Sequence, residues 1–165
     1  MTDTPREQEL IVSKQILSIE QTFSTGPIMG HFLRELRDNQ RIMALRCRAN
    51  GRFLLPPREV DAWSLSDDLE WIEVGPEGTL CEFDVVYYAS PDPLTGATRN
   101  VPYVIGWVIL DGVEGLSPLW HLIHTTDIPA LRHGLRVRAV FAETRTGAME
   151  DIVHFEVLNT GETGP

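Results

Sequence analysis

The pattern of apolar and polar positions divides the chain into a short helical part and a longer β-rich part. In "STGPIMGHFLRELRDNQ", residues 24–40, apolar side chains recur every three or four positions and Pro27 suits a first turn. This pattern predicts a helix, with Ser24 or Thr25 as its cap. The preceding stretch 10–22, "LIVSKQILSIEQT", has short apolar clusters and predicts an extended arm.

The next segment predicts two strands and a tight turn. "RIMALRCRANGRFLLPP", residues 41–57, carries an Asn-Gly dipeptide at Asn50 between two apolar runs, which is a strong hairpin signal. "REVDAWSLSDDLEW", residues 58–71, predicts a loop that leads into the larger part of the chain.

From residue 78 onward the pattern is almost purely β. Strand patterns separated by turn signals occur at 78–88, 101–111, 116–123, 135–141 and 149–158. A capped helical turn is predicted at 126–134, between the third and fourth strands, and this order is typical of an OB-type Greek-key barrel. We therefore predict a mainly β protein with three parts: an N-terminal arm and helix over 1–40, a hairpin over 41–72, and an OB-fold domain over 73–165 with a five-stranded barrel.

The second barrel strand, "VPYVIGWVILD", is apolar on both faces. A small barrel buries only one face of each strand, so the other face needs a second apolar surface. The N-terminal helix and a partner protein are equally good candidates for that surface. Tyr103, Trp107 and Trp120 are the residues that we expect to anchor a partner interface, with ordinary core positions as the alternative.

Composition limits the classes of function. The 165 residues are 42% apolar and carry a formal net charge of -10, which disfavours nucleic-acid binding. Two isolated cysteines, an N-terminus unlike a signal peptide and a longest apolar run of about half a membrane span predict a cytoplasmic protein without a membrane anchor. Half of the basic residues lie between Arg34 and Arg58. This cluster is either a solvated surface or a patch for an anionic ligand or an acidic partner.

The sequence contains no convincing catalytic pattern. Cys47 as a nucleophile with His31 as its base is one combination, but a lone Cys and His carry little specificity. His121 and His124 are three residues apart on a predicted strand and would face opposite sides, which disfavours a metal pair. Cys81 falls among core positions of a strand and is expected to act as a small hydrophobe. We therefore predict no catalytic residues in this chain.

The order of these segments resembles one family over residues 25–158. "GPIMGHFLRELRDNQRI", "RCRANGRFLLPPR", "EWIEVGPEGTLCEFDVVYY", "PYVIGWVILDGVEG", "LRHGLRVRAVF" and "DIVHFEVL" are similar, in this order, to the zinc-ribbon/OB-fold acyl-CoA-associated proteins that accompany thiolases and related enzymes. That family's ribbon has two Cys-x-x-Cys knuckles. The matching positions here are Cys47 and Asn50 in the first knuckle and Asp61 and Ser64 in the second, so three of the four ligands are replaced.

The replaced ligands predict a degenerate, metal-free ribbon, because structural zinc needs four good donors. An apolar cluster is expected to support the hairpin instead, formed by Phe53, Leu54, Leu55, Val60 and Trp63.

The resemblance implies a non-catalytic accessory subunit in a hetero-oligomer with a thiolase-type acyl-CoA enzyme, which would supply the nucleophile. Coenzyme A thioester is then a shared ligand, and Arg46, Arg48 and Arg52 are the expected contacts with its phosphates. An acyl-CoA hydratase or aldolase is the alternative partner. A stand-alone OB-fold module for a small ligand or nucleic acid is the alternative function.

Overall fold

The computed structural model describes residues 22–88, 91 and 96–158, so the predicted arm, except Thr22, lies outside the described residues. Helix α1 spans Gly26–Asn39 and buries Phe32 and Leu36, as its apolar stripe predicts. The Ser24 hydroxyl accepts a hydrogen bond from the backbone N–H of Gly26 at 3.3 Å. The helix ends at Asn39, and Gln40 after it adopts a left-handed conformation in which its backbone N–H donates to the Glu35 carbonyl.

The predicted hairpin is part of a three-stranded sheet. Strands β1 (Ile42–Cys47), β2 (Phe53–Leu54) and β3 (Leu69–Val74) lie in the order β2-β1-β3. The predicted loop over 58–71 was wrong at its C-terminal end, because β3 begins at Leu69. Strand β3 pairs with β1 over six positions, whereas β2 pairs with β1 over two. Strand β1 is buried at most positions and is stabilised by a hydrogen-bonding partner on each edge.

The predicted barrel is confirmed. Its strands are β4 (Glu77–Val86), β5 (Tyr103–Leu110), β6 (Leu119–His124), β7 (Arg136–Phe141) and β8 (Ile152–Val157). They close in the order β4-β5-β6-β8-β7, with β7 returning to β4 and a parallel β6–β8 pair, which is the OB topology. The predicted helical turn between β6 and β7 is a 3-10 turn at Ile128–Ala130, with the Asp127 carboxylate accepting from the Ala130 amide.

One hydrophobic core joins the helix and first sheet to the barrel. Phe32 of α1 and Ile42 of β1 belong to the same buried cluster as Val108 and Phe155 of the barrel. Gly106 of β5 lies at a tight point inside the barrel, since a Cβ atom there would lie 2.5 Å from Ile123 Cγ1. The close packing of β5 on β6 therefore depends on glycine at this position.

Two polar arrangements hold loops and strand ends of the barrel. The Arg136 guanidinium bridges β7 to Asp111 after β5, with a 2.7 Å hydrogen bond from Nη1 to Oδ1, and also contacts Glu77 of β4. The buried Asp151 carboxylate accepts the backbone N–H groups of residues 146–148. Such bonds satisfy backbone groups and carboxylates that burial would otherwise leave unpaired.

Candidate functional site

The outer face of β5 and β6 forms an open apolar groove. Strand β5 alternates between buried inner residues and half-buried outer residues, so both of its faces are apolar, as the sequence predicts. The groove has a volume of about 470 Å³, and its lining comes from five separate segments of the chain: Pro56, Arg99, Tyr103, Ile105, Leu119, Trp120, His121, Leu122, Met149 and Glu150. In OB folds this face of the second and third strands, with the adjoining loops, is the usual ligand-binding surface.

The three aromatic residues predicted as interface anchors lie on this outer face. Tyr103 and Trp120 line the groove, and Trp107 is paired in register with Trp120 across β5 and β6. Trp120 keeps 55% of its surface exposed, which is unusual for a tryptophan beside an apolar groove. Helix α1 packs against β1 and the Met149–Asp151 turn. The sequence analysis considered the helix and a partner protein as covers for the outer face of β5, and the partner protein remains a proposal.

His121 places a polar atom among these apolar side chains. Its Nε2 lies 3.4 Å from the Met149 carbonyl oxygen, and Nδ1 is buried without a hydrogen-bond partner among the described atoms. Burial lowers the pKa of His121. The neutral imidazole then donates from Nε2 to Met149 and presents an acceptor at Nδ1. His124, three residues on, lies on the opposite face beside His154, with a ring distance of 4.8 Å, so the two histidines of β6 do not form a pair.

The three arginines predicted to contact coenzyme A have different surroundings. Arg46 and Arg48 both contact Glu70 of β3, at 3.4 and 3.2 Å, and Arg48 also pairs with Asp68. Arg52 lies apart from them, with its guanidinium 4.9 Å from the ring centre of Trp63, which is 78% exposed. The sequence could not reveal the first two pairs, because Glu70 belongs to the strand that the pattern did not predict.

A second, smaller groove lies beside Arg52. It has a volume of about 240 Å³ and runs between the first sheet and the loop before β6, with Arg58 and Trp63 also in its lining. Arg58 makes no ion pair with another described residue, so its charge is available to an anion. A stacked arginine and tryptophan next to a second arginine suit a ligand that has both an aromatic ring and phosphate groups.

The four degenerate ribbon positions lie together. Asp61 is 2% exposed, and its Oδ2 accepts hydrogen bonds from Asn50 Nδ2 at 2.7 Å, Ser64 Oγ at 2.8 Å and the Ser64 backbone N–H at 2.9 Å. Cys47 Sγ lies 3.5 Å from Ser64 Oγ. Hydrogen bonds from Ser64, backbone first, lower the pKa of Asp61. The structure joins the four positions by hydrogen bonds, which the sequence did not predict.

These residues do not fit a structural zinc ion, which is the group that the sequence resemblance associates with these positions. Structural zinc takes four donors such as thiolate, imidazole or carboxylate, and this set offers one thiol and one carboxylate. The Asn50 amide oxygen is already bonded to the Arg52 backbone N–H at 3.0 Å, and the amide nitrogen faces Asp61. Within the described ranges, no three His, Cys, Asp or Glu side chains are grouped as a metal site would require.

The expected apolar support of the knuckles is only partly present. Phe53, Leu54 and Leu55 are buried, whereas Val60 is 43% exposed and Trp63 lies largely in solvent. The two residues considered as a catalytic pair have different neighbours: Cys47 is buried beside Ser64, whereas the His31 ring packs on Trp71 at 4.5 Å.

Cys81 is half-buried rather than part of the core. It lies at a bulge of β4, where its Sγ donates to the Trp107 carbonyl, and burial raises the pKa of its thiol. No helix in the described part of the chain is long and apolar enough to span a bilayer.

Together, the closed barrel and its open β5–β6 face define an OB-fold protein. Residues 71–142 match the family model of the ChsH2 C-terminal OB-fold domain. The match confirms, for the part it covers, the predicted resemblance to the OB-fold, acyl-CoA-associated accessory proteins. No curated protein matches the chain.

Two solved structures share the fold. The Ltp2-ChsH2(DUF35) aldolase is 19% identical, with a TM-score of 0.56 over 78% of this chain and 93% of that chain. A protein of unknown function from the DUF35 family of Sulfolobus solfataricus is 17% identical, with a TM-score of 0.53 over 81% of this chain and 85% of that one. At these identities the likeness is one of fold, and it extends beyond the barrel into the region of the helix and first sheet.

Proposed function

We propose that this protein is a non-catalytic accessory subunit of an acyl-CoA enzyme that makes or breaks a carbon–carbon bond. The open aromatic face of β5 and β6 carries the proposal: a barrel of the ChsH2 family presents Tyr103, Trp107 and Trp120 on one side. Aromatic residues grouped on one open face, here the exposed Trp120 beside the half-buried Tyr103 and Trp107, are typical of protein interfaces. A partner seated there would supply the reacting groups.

A thiolase-type partner is our first choice, because the sequence resembles the accessory proteins of thiolases. An aldolase is the closest competitor, since the ChsH2-containing structure of the same fold is an aldolase. An acyl-CoA hydratase is the third candidate. All three would use the same face of the barrel, so the partner's identity has to come from the complex itself.

The test is purification of the tagged chain from its native host, with identification and quantification of the co-purifying proteins. We expect one acyl-CoA enzyme in near-stoichiometric amount. Recovery of the chain without such an enzyme, as a monomer that elutes alone, would refute the subunit role and favour a stand-alone OB-fold module.

Single substitutions in the groove distinguish a specific interface from nonspecific association through exposed apolar residues. Trp120→Ala and Tyr103→Ala should each weaken the complex, by roughly tenfold or more in Kd for an interface hot spot. Val153→Ala on β8 is the matched control, because Val153 is also an exposed apolar residue but lies outside the groove lining. Equal effects of the control and Trp120→Ala would argue against this face as the interface.

We further propose that the arginine-rich first sheet contacts the phosphates of coenzyme A. Arg46, Arg48 and Arg52 remain the candidates. Each contacts a carboxylate, which is Glu70 for the first two and Asp61, at 3.7 Å, for Arg52. Arg52 ranks first because it is the one of the three that lines the second groove, with its guanidinium over the Trp63 ring. Arg52→Ala should raise the KM of the complex for acyl-CoA by about tenfold, since a hydrogen bond to a charged group contributes roughly 1.5 kcal/mol or more.

The control for this experiment is Arg34→Ala. Arg34 is exposed on α1 and makes no ion pair with another residue that the structure describes. A KM that is unchanged in Arg52→Ala and in the triple variant of all three candidates would remove the patch from the mechanism. The accessory role itself would stand, because it is tested by the composition of the complex.

A further inference from the structure

The ribbon knuckles of this chain are joined by a continuous chain of hydrogen bonds. The Ser64 hydroxyl has one hydrogen, and it donates this hydrogen to Asp61 Oδ2 at 2.8 Å. The Cys47 thiol, 3.5 Å from the same hydroxyl oxygen, must then be the donor of that contact. The path runs from the Cys47 thiol through the Ser64 hydroxyl to the Asp61 carboxylate, and each bond polarises the next.

Asn50 completes this arrangement from the first knuckle. Its side-chain nitrogen donates to Asp61 Oδ2, and its side-chain oxygen accepts from the Arg52 backbone N–H. The residues from both knuckles, Cys47 and Asn50 on one side and Asp61 and Ser64 on the other, are therefore linked through one carboxylate oxygen. Oδ1 of the same carboxylate lies 3.7 Å from Arg52 Nε, so the buried charge has a cationic neighbour.

A buried carboxylate is stable only if its charge is paired and hydrogen-bonded. Asp61 meets this requirement with three hydrogen bonds to Oδ2 and an arginine near Oδ1. The backbone of Asp61 also closes its own loop, accepting from the Leu65 N–H at 2.8 Å and donating to the Ser66 carbonyl at 3.0 Å. The second knuckle is thus organised around this residue.

We propose that the Asp61 carboxylate takes the structural place of the zinc ion. In a zinc ribbon, one central cation joins donor atoms from two knuckles. Here one central anion joins hydrogen-bond donors from the same two knuckles. The charge of the central group is therefore negative instead of positive, and the surrounding groups donate hydrogen bonds to it instead of electron pairs. This inversion explains why the replacements are Asn and Ser, which can donate hydrogen bonds, and it makes the first sheet independent of metal.

The inference is separate from the proposed function, because its test uses the purified full chain and needs no partner. The zinc content of the chain is measured together with its thermal unfolding midpoint, with and without a zinc chelator. We expect far less than one zinc per chain and a Tm that the chelator does not change. One tightly bound zinc per chain, or a Tm that falls on chelation, would overturn the proposal.

Asp61→Asn removes the central charge while keeping the shape of the side chain. The Tm should fall by roughly 5 °C or more, given the strength of buried hydrogen bonds to a charged group in a chain of this size. Asp67→Asn is the matched control, since Asp67 is exposed in the same loop, and its Tm should not change. Failure of Asp61→Asn alone to fold would support the central role of Asp61, whereas equal Tm values for both variants would refute it.

The converse experiment restores the family's ligand set. The triple variant Asn50→Cys, Asp61→Cys and Ser64→Cys, together with the native Cys47, presents four thiols at the positions that now converge. It should bind one zinc per chain and acquire a Tm that falls on chelation. Failure of the folded triple variant to bind zinc would show that the four positions do not form a common centre, which would contradict the proposal.

Discussion

Gly106 provides the sharpest test of how the barrel packs. A Cβ atom at this position would lie 2.5 Å from Ile123 Cγ1, 2.6 Å from Leu80 Cδ1 and 2.8 Å from Ile123 Cδ1. All three distances are well inside van der Waals contact, and both neighbours are buried in the barrel core. The Gly106→Ala variant must therefore move side chains that have little free space around them.

The expected cost follows from these contacts. Overpacking of a well-packed core costs about 1–3 kcal/mol, which for a chain of this size lowers the Tm by roughly 2–12 °C. Urea unfolding followed by tryptophan fluorescence measures the change in free energy. Gly30→Ala is the matched control, because Gly30 lies in α1 and its added methyl would meet only side-chain atoms at 3.4 Å or more. That variant should be neutral or stabilising, by up to about 1 kcal/mol.

A double-mutant cycle tests the physical reason. In an Ile123→Ala background two of the three close contacts are gone, so Gly106→Ala should cost clearly less than it does in the native chain. An equal cost in both backgrounds, or a stabilising effect of Gly106→Ala in the native chain, would refute the packing argument.

The other predictions concern the polar groups of the barrel. The Arg136 guanidinium lowers the pKa of Asp111, so this half-exposed pair adds a small stability above the ordinary carboxyl pKa of about 4. That contribution is lost as the pH falls through the lower folded-state pKa. Urea unfolding measured from about pH 2 to about pH 7 should therefore show a weaker loss of stability with acid for Arg136→Gln than for the native chain. Asp151→Ala leaves the N–H groups of residues 146–148 without their acceptor and should lower the free energy of unfolding by about 3 kcal/mol, whereas Glu150→Ala beside it should change little. A native-like acid profile of the first variant, or equal stability of the last two, would contradict these assignments.

The helix and the five barrel strands could be predicted from the sequence because each is encoded locally. Burial of one face imposes a period of two residues on a strand and of 3.6 on a helix, and both periods are visible without knowledge of the partner element. The doubly apolar pattern of β5 likewise predicted that its outer face is apolar as well as its inner one. The four degenerate ribbon positions were found through resemblance, since the residue types alone no longer indicate a metal site.

Long-range contacts decided the rest. Strand β3 exists because β1 offers it a free edge, and its "LEWIEV" pattern alone does not distinguish it from a loop. Its Glu70 then neutralises arginines that the sequence presents as a free basic cluster. The groove combines Pro56, Arg99 and Met149, which are far apart in the chain and meet only after the barrel closes.

Asp61 shows the same division most clearly. In the sequence it is interpreted as a missing ligand, because it occupies a position where the resembled family has a cysteine. In the folded chain it is a buried acceptor for donors from both knuckles, because folding brings residues 11 and 3 positions away to one carboxylate oxygen. The sequence determined which elements form, since their patterns are local. The hydrogen-bonded centre at Asp61 and the groove on β5 and β6 were decided by tertiary structure, since both depend on which distant side chains meet.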